Sequence, residues 1–403
     1  MAKTASADHQ GTAEEPARTS QGIRVPAPGA TPGAAGSSPG AEPGLVESSP
    51  GSSGPSPGPA SAGGARRLGR PGTQARTAAT VLVCLALLGL LGLTSLAIGS
   101  RSLTLGEAWS GLVDHDSSVN SIVVWRMRMP RTALTVTVGA ALAVAGVVMQ
   151  ALTRNPLAEP GILGVNAGAS LAVVLSVSLL GVTDVHGYLW FAFAGATLTA
   201  VLVHLMARRS ADAGPARLVL AGVALGASLH AVTGTITMYD TDAFNSYRFW
   251  VVGSLEDRDA GLLAWIGPFI AVGLLLSLAC GLTLNALALG EEQARALGVS
   301  PARARLLALV SITLLCGAST AAVGPISFVG LVVPQVLRLT LGADHRRLLA
   351  VSLIAGPVLL LVADVVGRVI IRPGEMEAGV VTAFIGGPVL LAAVIWRSGR
   401  GVL

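Results

Sequence analysis

Titratable side chains are rare inside the long apolar stretches of this sequence, and Asp364 is the only acidic one placed well within such a stretch. A carboxylate in an apolar span is a candidate for a proton relay or an ion site. Such chemistry usually needs further buried titratable groups, and the other stretches offer only His204 and His230. We expect His230 to be a hydrogen-bonded core residue, and Arg368 lies one helical turn after Asp364, where the two can pair. The pattern therefore disfavours ion-coupled chemistry.

Motifs of enzymatic sites are absent from the sequence. Its only lysine, Lys3, lies at the N-terminus, whereas a P-loop places its lysine directly after a glycine-rich loop. No G-x-S-x-G, H-E-x-x-H or paired-carboxylate motif occurs on the apolar stretches. The three cysteines, Cys84, Cys280 and Cys316, are far apart and are expected to serve packing. We expect a conduit that has no catalytic, cofactor-binding or metal-binding residues and is powered by another molecule.

The most charged internal segment, residues 287–307, lies between two long apolar stretches. Six of its residues indicate where helices form, end or begin, and in order these are Glu291, Glu292, Arg295, Gly298, Ser300 and Pro301. Acids one turn before a base stabilise a helix, glycine ends a helix, and serine followed by proline begins one. The segment is predicted to form two short helices broken at the glycine, which suits either a surface hairpin or a contact site.

Composition places this 403-residue chain among helical membrane proteins, since 52% of its residues are hydrophobic, 12% are charged and its mean hydropathy is +0.68. Its net charge of +5 comes from basic residues scattered between apolar stretches, which argues against a nucleic-acid-binding patch. Residues 1–75 contain 11 of the 22 prolines and no aromatic residue. They are expected to form a disordered cytoplasmic tail, followed by one transmembrane domain over residues 76–403.

Ten membrane spans are predicted. They are Thr77–Gly99, Thr132–Thr153, Val165–Val182, His186–Met206, Leu218–Met238, Leu262–Leu284, Leu307–Ala322, Gly330–Leu341, Leu348–Ile371 and Gly379–Trp396. The eighth is too short to cross about 30 Å as a straight helix, so we expect it to be broken and packed inside the protein. An even count puts both termini on one side. Sixteen arginines near the spans fall on that side and eight on the other, which predicts cytoplasmic termini.

Arginines are disfavoured on the outer face, yet Arg126, Arg128 and Arg131 cluster just before the second span and Arg368 lies near the outer end of the ninth. One explanation is that they attract an acidic partner. The other is contact with lipid phosphate or internal pairing, for which Asp364 is placed to serve Arg368. Spacing alone favours the second explanation.

Four stretches resemble the FecCD-type permeases of ABC importers for ferric siderophores, haem and cobalamin. They are R-M-R-M-P-R-T-A-L from Arg126 with the run from Gly139 to Val165, L-G-E-E-Q-A-R-A-L-G-V from Leu289, G-P-I-S-F-V-G-L-V-V-P-Q-V-L-R from Gly324 with A-D-H-R-R-L-L from Ala343, and A-D-V-V-G-R from Ala363 through to G-G-P-V-L. The similarity runs from about residue 78 to the end. Two departures are Gln335, where the family commonly has histidine, and E-M-E-A-G at residues 375–379, where it has E-L-P-x-G.

The resemblance implies an all-α type II ABC importer permease fold, with ten transmembrane helices per subunit and the pathway on the two-fold axis of a permease dimer. It implies a second permease subunit, either the same chain or a paralogue. Two ATPase subunits would hydrolyse ATP with Mg²⁺, and an extracytoplasmic binding protein would deliver the substrate. The residues matching the cytoplasmic ATPase-coupling helices are Gly290, Glu291, Ala294, Leu297 and Gly298, all within residues 287–307, which we therefore call the coupling segment. Those matching the arginines that receive acidic residues of the binding protein are Arg128, Arg131 and Arg368, so the resemblance favours docking for them.

The sequence therefore predicts a permease subunit of an ATP-driven importer, embedded in the lipid of the cell membrane, with a ferric siderophore as cargo and no nucleic-acid partner. Cobalamin and haem are the alternative cargoes. An ion-driven secondary transporter and a non-transporting scaffold are the alternatives from other classes. Parts of the second, fifth and eighth spans are expected to line the pathway.

Overall fold

The structure, a computed structural model, describes residues 71–99, 103–114, 118–208, 215–256, 258, 260–371 and 374–398. The first 70 residues of the predicted tail lie outside the described residues. The last five residues of that tail, 71–75, are helical rather than disordered, since the first helix begins at Pro71. Proline suits the first turn of a helix, where its missing N–H costs no hydrogen bond.

Within the described ranges the chain is helical and contains no β-strand. Its helices are α1 Pro71–Ala97, α2 Leu105–Val113, α3 Val119–Ile122, α4 Met129–Thr153, α5 Val165–Leu180, α6 Val185–Arg208, α7 Pro215–Tyr239, α8 Thr241–Val251, α9 Ala260–Ala279, α10 Gly281–Ala288, α11 Glu291–Ala296, α12 Pro301–Val323, α13 Val329–Leu341, α14 His345–Ile370 and α15 Ala378–Ser398. A π-helical stretch, Val123–Arg128, joins α3 to α4, and a 3₁₀ turn, Pro160–Leu163, precedes α5.

Nine of the ten predicted spans correspond to one helix each, and the sixth corresponds to two. In the described ranges seven helical segments are long and apolar enough to cross a membrane, and the apolar helices Val165–Leu180, Val329–Leu341 and Ala378–Ala392 are shorter. The predicted sixth span is broken at Cys280 into α9 and α10. The short eighth span, α13, is buried along most of its length, which confirms the expectation that it packs inside the protein. It is one continuous helix with Pro334 in its interior, so the expected break was wrong.

Among the helices between the predicted spans, α2, α3 and α8 were not predicted. The helix α2 begins with a capping box, in which Thr104 accepts from the Glu107 amide at 3.2 Å and Glu107 accepts from the Thr104 amide at 2.8 Å. The helix α8 is capped by Asp240, whose side chain accepts from the amides of Asp242 and Ala243 at 3.0 Å. Both caps are visible in the sequence as a threonine or aspartate just before the helix. They are short amphipathic elements, which a search for membrane-length apolar runs overlooks.

The central helix is α4, which packs against α9, α12, α13 and α14. Every residue from Val138 to Thr153 is buried. Small residues permit close approach of the neighbouring backbones: Gly139 faces Gly356 of α14, and Gly146 faces Gly330 of α13. The fold therefore holds α13 and α14 against α4 through glycine contacts.

Replacing Gly146 with alanine is expected to destabilise the protein by about 1–3 kcal/mol or more, because overpacking forces the backbone to shift. A Cβ at this position would lie 1.8 Å from the carbonyl oxygen of Gly330. The matched control is Gly92→Ala in α1, where a Cβ meets nothing within 4 Å. Thermal unfolding of both variants in the same detergent would check this. Equal melting temperatures for the two variants would contradict the proposed contact between α4 and α13.

Candidate functional site

The coupling segment folds as a short helix, a turn and the start of a long helix. Gly290, at φ +123°, precedes α11, and Gly298, at φ +79°, follows it; both conformations suit glycine. The helix α12 then begins at Pro301, after Ser300. The predicted break at the glycine is confirmed. The second helix, however, is the first part of the seventh span, and the Ser300 side chain makes no capping hydrogen bond.

One face of α11 is anchored and the other is exposed. Ala294 is fully buried in a small apolar cluster with Ala286, Leu287 and Ala304. Leu297, by contrast, is 64% exposed. Exposed residues of the segment also include Glu292, Gln293, Arg295, Ala296, Gly298 and Ser300. The segment therefore presents a platform of mixed apolar and charged residues at one end of the helix bundle.

Glu291 holds the coupling segment together electrostatically. Its carboxylate lies 3.5 Å from the Arg295 guanidinium, one turn later in α11, and forms an ion pair with Arg305 of α12. The first pair was predicted from helical spacing. The second was missed, because only the turn at Gly298 brings residues 14 positions apart into contact. Glu291 thus ties α11 to the start of α12.

Polar contacts connect the coupling segment to the rest of the bundle. Arg154, the left-handed residue at φ 50° that ends α4, donates from Nε to the Leu287 carbonyl at 3.1 Å. Asn285 of α10 donates to Asp344 at 2.9 Å. Burial raises the pKa of Asp344, but hydrogen bonds from Asn285 and from the Arg346 amide, together with neighbouring arginine charges, outweigh burial and hold that pKa below its usual range. Asp344 is therefore a fixed anion at the start of α14.

The loop after α4 is tied to α13 by two hydrogen bonds. Glu159 accepts from the Phe328 amide at 2.9 Å, and Phe328 itself is left-handed at φ 71°. Burial raises the pKa of the Glu159 carboxyl, although the Phe328 hydrogen bond opposes that rise. Gln335 is 5% exposed and donates to the carbonyl of Pro156 at 2.5 Å. The glutamine that departs from the family's histidine thus holds α13 to this loop.

At the opposite end of α4, a largely buried ionic cluster joins α4, α14 and the loop after α14. Arg131 of α4 donates to Asp364 Oδ1 from Nη2 at 2.8 Å and from Nε at 3.0 Å. Asp364 also forms an ion pair with Arg368. Arg131 Nη1 also forms an ion pair with Glu375, with 2.7 Å between it and Oε2. We call these four residues the ionic cluster.

Two arginines satisfy carbonyl groups at the C-terminal end of α1. Arg368 Nη1 donates to the carbonyls of Ser95 at 2.8 Å and Ile98 at 3.0 Å. Arg128 donates to the carbonyl of Leu96. The last carbonyls of a helix lack intrahelical partners and carry partial negative charge, so cations are favourable there. Arg128 and Arg368 are therefore structural at this position, at 6% and 4% exposure.

The structure thus brings Arg131 and Arg368 together on Asp364, while Arg128 lies against α1. Spacing alone favoured internal pairing of Arg368 with Asp364, and the structure contains this ion pair. Docking of a binding protein at the three arginines stays a prediction. Contact of an ATPase with the five coupling residues also stays a prediction. Of those five, Leu297 and Gly298 are exposed and Ala294 is buried.

Most of α7, the fifth predicted span, is exposed, whereas α4 and α13 are largely buried. No described helix of this chain covers one long face of α7, and that face carries small and polar residues: Ala224, Ala227, Ser228, Ala231, Gly234 and Thr235. Small residues permit close helix packing in membranes. His230 is exposed beside this face, so the expectation of a core histidine was wrong. Sequence periodicity alone does not distinguish a covered face from an open one in an apolar helix.

Comparison with known proteins gives a consistent result. A sequence profile of the FecCD transport family matches residues 86–396. The ferric enterobactin transport system permease protein FepD of Escherichia coli K12 is 44% identical over 311 residues, covering 76% of this chain and 92% of FepD. The vitamin B12 import system permease protein BtuC of Yersinia enterocolitica is 42% identical over 301 residues, covering 72% and 87%. A solved inward-facing structure of a metal-chelate type ABC transporter superposes with a TM-score of 0.70 at 29% identity, covering 78% of this chain and 98% of the other.

Proposed function

Since the chain belongs to the FecCD transport family, we propose that it is the membrane permease subunit of an ATP-driven importer for a ferric siderophore. The observation that carries this proposal is the match of the profile to residues 86–396, which includes the coupling segment and the ionic cluster. The similarity therefore extends to the parts of the fold that would meet other subunits.

The exposed face of α11 is the surface that supports contact with an ATPase. The sequence has no P-loop, so ATP and Mg²⁺ would be handled by a separate subunit. In this proposal Leu297 and Gly298 contact the ATPase, Ala294 anchors α11, and Gly290 and Glu291 set its direction. Movement of the ATPase would be transmitted to the helix bundle through two hydrogen bonds. One joins Arg154 to the Leu287 carbonyl, and the other joins Asn285 to Asp344.

A second permease subunit would cover the open face of α7. Its small residues suit close packing of another helix, and its polar residues suit a water-filled pathway. The pathway would then lie between two subunits, with α7 contributing more of its lining than the buried α4. Either a second copy of this chain or a paralogue satisfies this arrangement.

Ferric siderophore is the proposed cargo because FepD, whose name specifies ferric enterobactin, is 44% identical to this chain. Cobalamin is the second candidate, since BtuC, named for vitamin B12 import, is 42% identical. An extracytoplasmic binding protein would deliver either cargo. The arginine bias supports a cell-membrane topology with both termini and the coupling segment in the cytoplasm.

Transport into sealed vesicles tests this function. Vesicles containing this permease with the candidate ATPase subunits and binding protein from the same genome are expected to accumulate a ferric siderophore only when ATP is supplied. Omitting the ATPase should abolish uptake, and a protonophore should not. Uptake that persists without the ATPase but collapses with a protonophore would contradict the proposal and support the ion-driven alternative. Parallel assays with cobalamin and haem would identify the cargo.

A further inference from the structure

The ionic cluster contains equal numbers of positive and negative groups. Arg131 and Arg368 are balanced by Asp364 and Glu375. Arg131 already has two carboxylate partners. An acidic partner arriving at Arg131 would therefore meet a neutral cluster and would have to compete with a carboxylate that is already bound.

The two carboxylates differ in how accessible they are. The Asp364 side chain is fully buried, and that of its partner Arg368 is 2% exposed. The side chains of Arg131 and Glu375 are 15% and 17% exposed. Glu375 is therefore the carboxylate on the surface side of Arg131. Removing Asp364 from its partners would leave fully buried charge without a partner, whereas the Glu375 side chain already has a path to water.

Glu375 is also held less firmly than Asp364. Asp364 pairs with both Arg131 and Arg368, whereas Glu375 pairs with Arg131 alone among the described residues. Glu375 lies in the non-helical stretch 374–377 between α14 and α15. The following amide, that of Met376, donates to the Gly367 carbonyl at 3.0 Å. The backbone is thus anchored next to Glu375, while its side chain is retained by charge.

We propose that Glu375 occupies the position on Arg131 that a carboxylate of the binding protein takes during docking. Docking would therefore displace Glu375 from Arg131. This inference rests on the proposed function, because it assumes a binding protein that presents acidic residues. Arg131 keeps two anionic partners before and after the exchange, so the buried pair of Arg368 and Asp364 is not disturbed. Glu375 acts as a competitor that weakens docking, and it is exchangeable because the arriving carboxylate takes its place on Arg131, so that the cation is never left without a partner.

Binding measurements with Glu375→Gln test the proposal. The probe is the binding protein that supports uptake in the vesicle assay, and its affinity for the purified permease complex in lipid nanodiscs is measured. Glu375→Gln is expected to increase the affinity by about fivefold at low salt, the upper range for an exposed ion pair, because this pair is only partly exposed. High salt should reduce this gain. The matched control is Glu377→Gln, which removes the same charge two residues away and is expected to leave the affinity within about twofold of wild type.

A second variant shows whether the gain acts through Arg131. In an Arg131→Gln background, Glu375→Gln should produce no further gain in affinity, because the arginine for which the two carboxylates compete is absent. Unchanged or weaker binding by Glu375→Gln, with a wild-type melting temperature, would overturn the proposal. An equal gain from Glu377→Gln would also overturn it, since general surface charge would then explain the effect. A wild-type complex that shows neither ATP-driven uptake nor binding would instead contradict the proposed function, and the inference with it.

Discussion

Replacing Glu291 with lysine is expected to reduce ATP-driven uptake by more than about tenfold, since like charges brought together at a contact cost several kcal/mol. In the structure Glu291 pairs with Arg295 and Arg305. A lysine there would place three cations together and remove the acid from the first turn of α11, where it is favourable. The exposed face of α11 would then no longer be held in its orientation relative to α12. Uptake in vesicles and co-purification of the ATPase measure the effect.

Two further variants separate the possible causes of that loss. Glu291→Gln keeps an acceptor for Arg305 and is expected to retain more uptake than Glu291→Lys. Combining Glu291→Lys with Arg305→Glu restores an opposite-charge pair, and is expected to recover ATPase binding in part if the role of Glu291 is internal. Normal uptake and normal ATPase binding by Glu291→Lys would contradict the assignment of this segment as the coupling site.

Replacing Asp364 with asparagine is expected to give the largest loss of stability, about 3–5 kcal/mol, because breaking a buried ion pair leaves an uncompensated charge. Arg131 and Arg368 would both lose their shared partner. The expected result is a strongly lowered melting temperature in detergent and poor accumulation in the membrane.

Glu375→Gln serves as the control, since it removes a more exposed carboxylate from the same arginine and should have a small effect on stability. Pairing Asp364→Asn with Arg368→Gln removes one cation as well and is expected to recover part of the loss. A melting temperature of Asp364→Asn equal to that of wild type would contradict a structural role. It would also reopen the sequence-based alternative of a proton-carrying carboxylate.

The spans were predictable from sequence because their signals are local. An apolar run of membrane length forms a helix whatever its neighbours are, since unpaired backbone groups are costly in lipid. The break at Gly298 and the start at Pro301 were likewise predictable from the backbone preferences of single residues. The break of the sixth span at Cys280 was missed. The neighbouring glycine, Gly281, is the first residue of α10 and does not itself interrupt the helix.

The sequence by itself determined the helical membrane class, the ten spans, the charged coupling segment and the family resemblance. Only the tertiary structure decided which charges meet: Arg131 and Asp364 are 233 positions apart in sequence and hydrogen-bonded in the fold. It also decided that Arg128 lies against α1 and that α7 keeps an open face. The physical reason is that helix formation depends on the chain's own backbone and nearest neighbours. Ion pairing and burial depend instead on how distant helices pack, and an apolar helix carries little amphipathic signal to show which face will be covered.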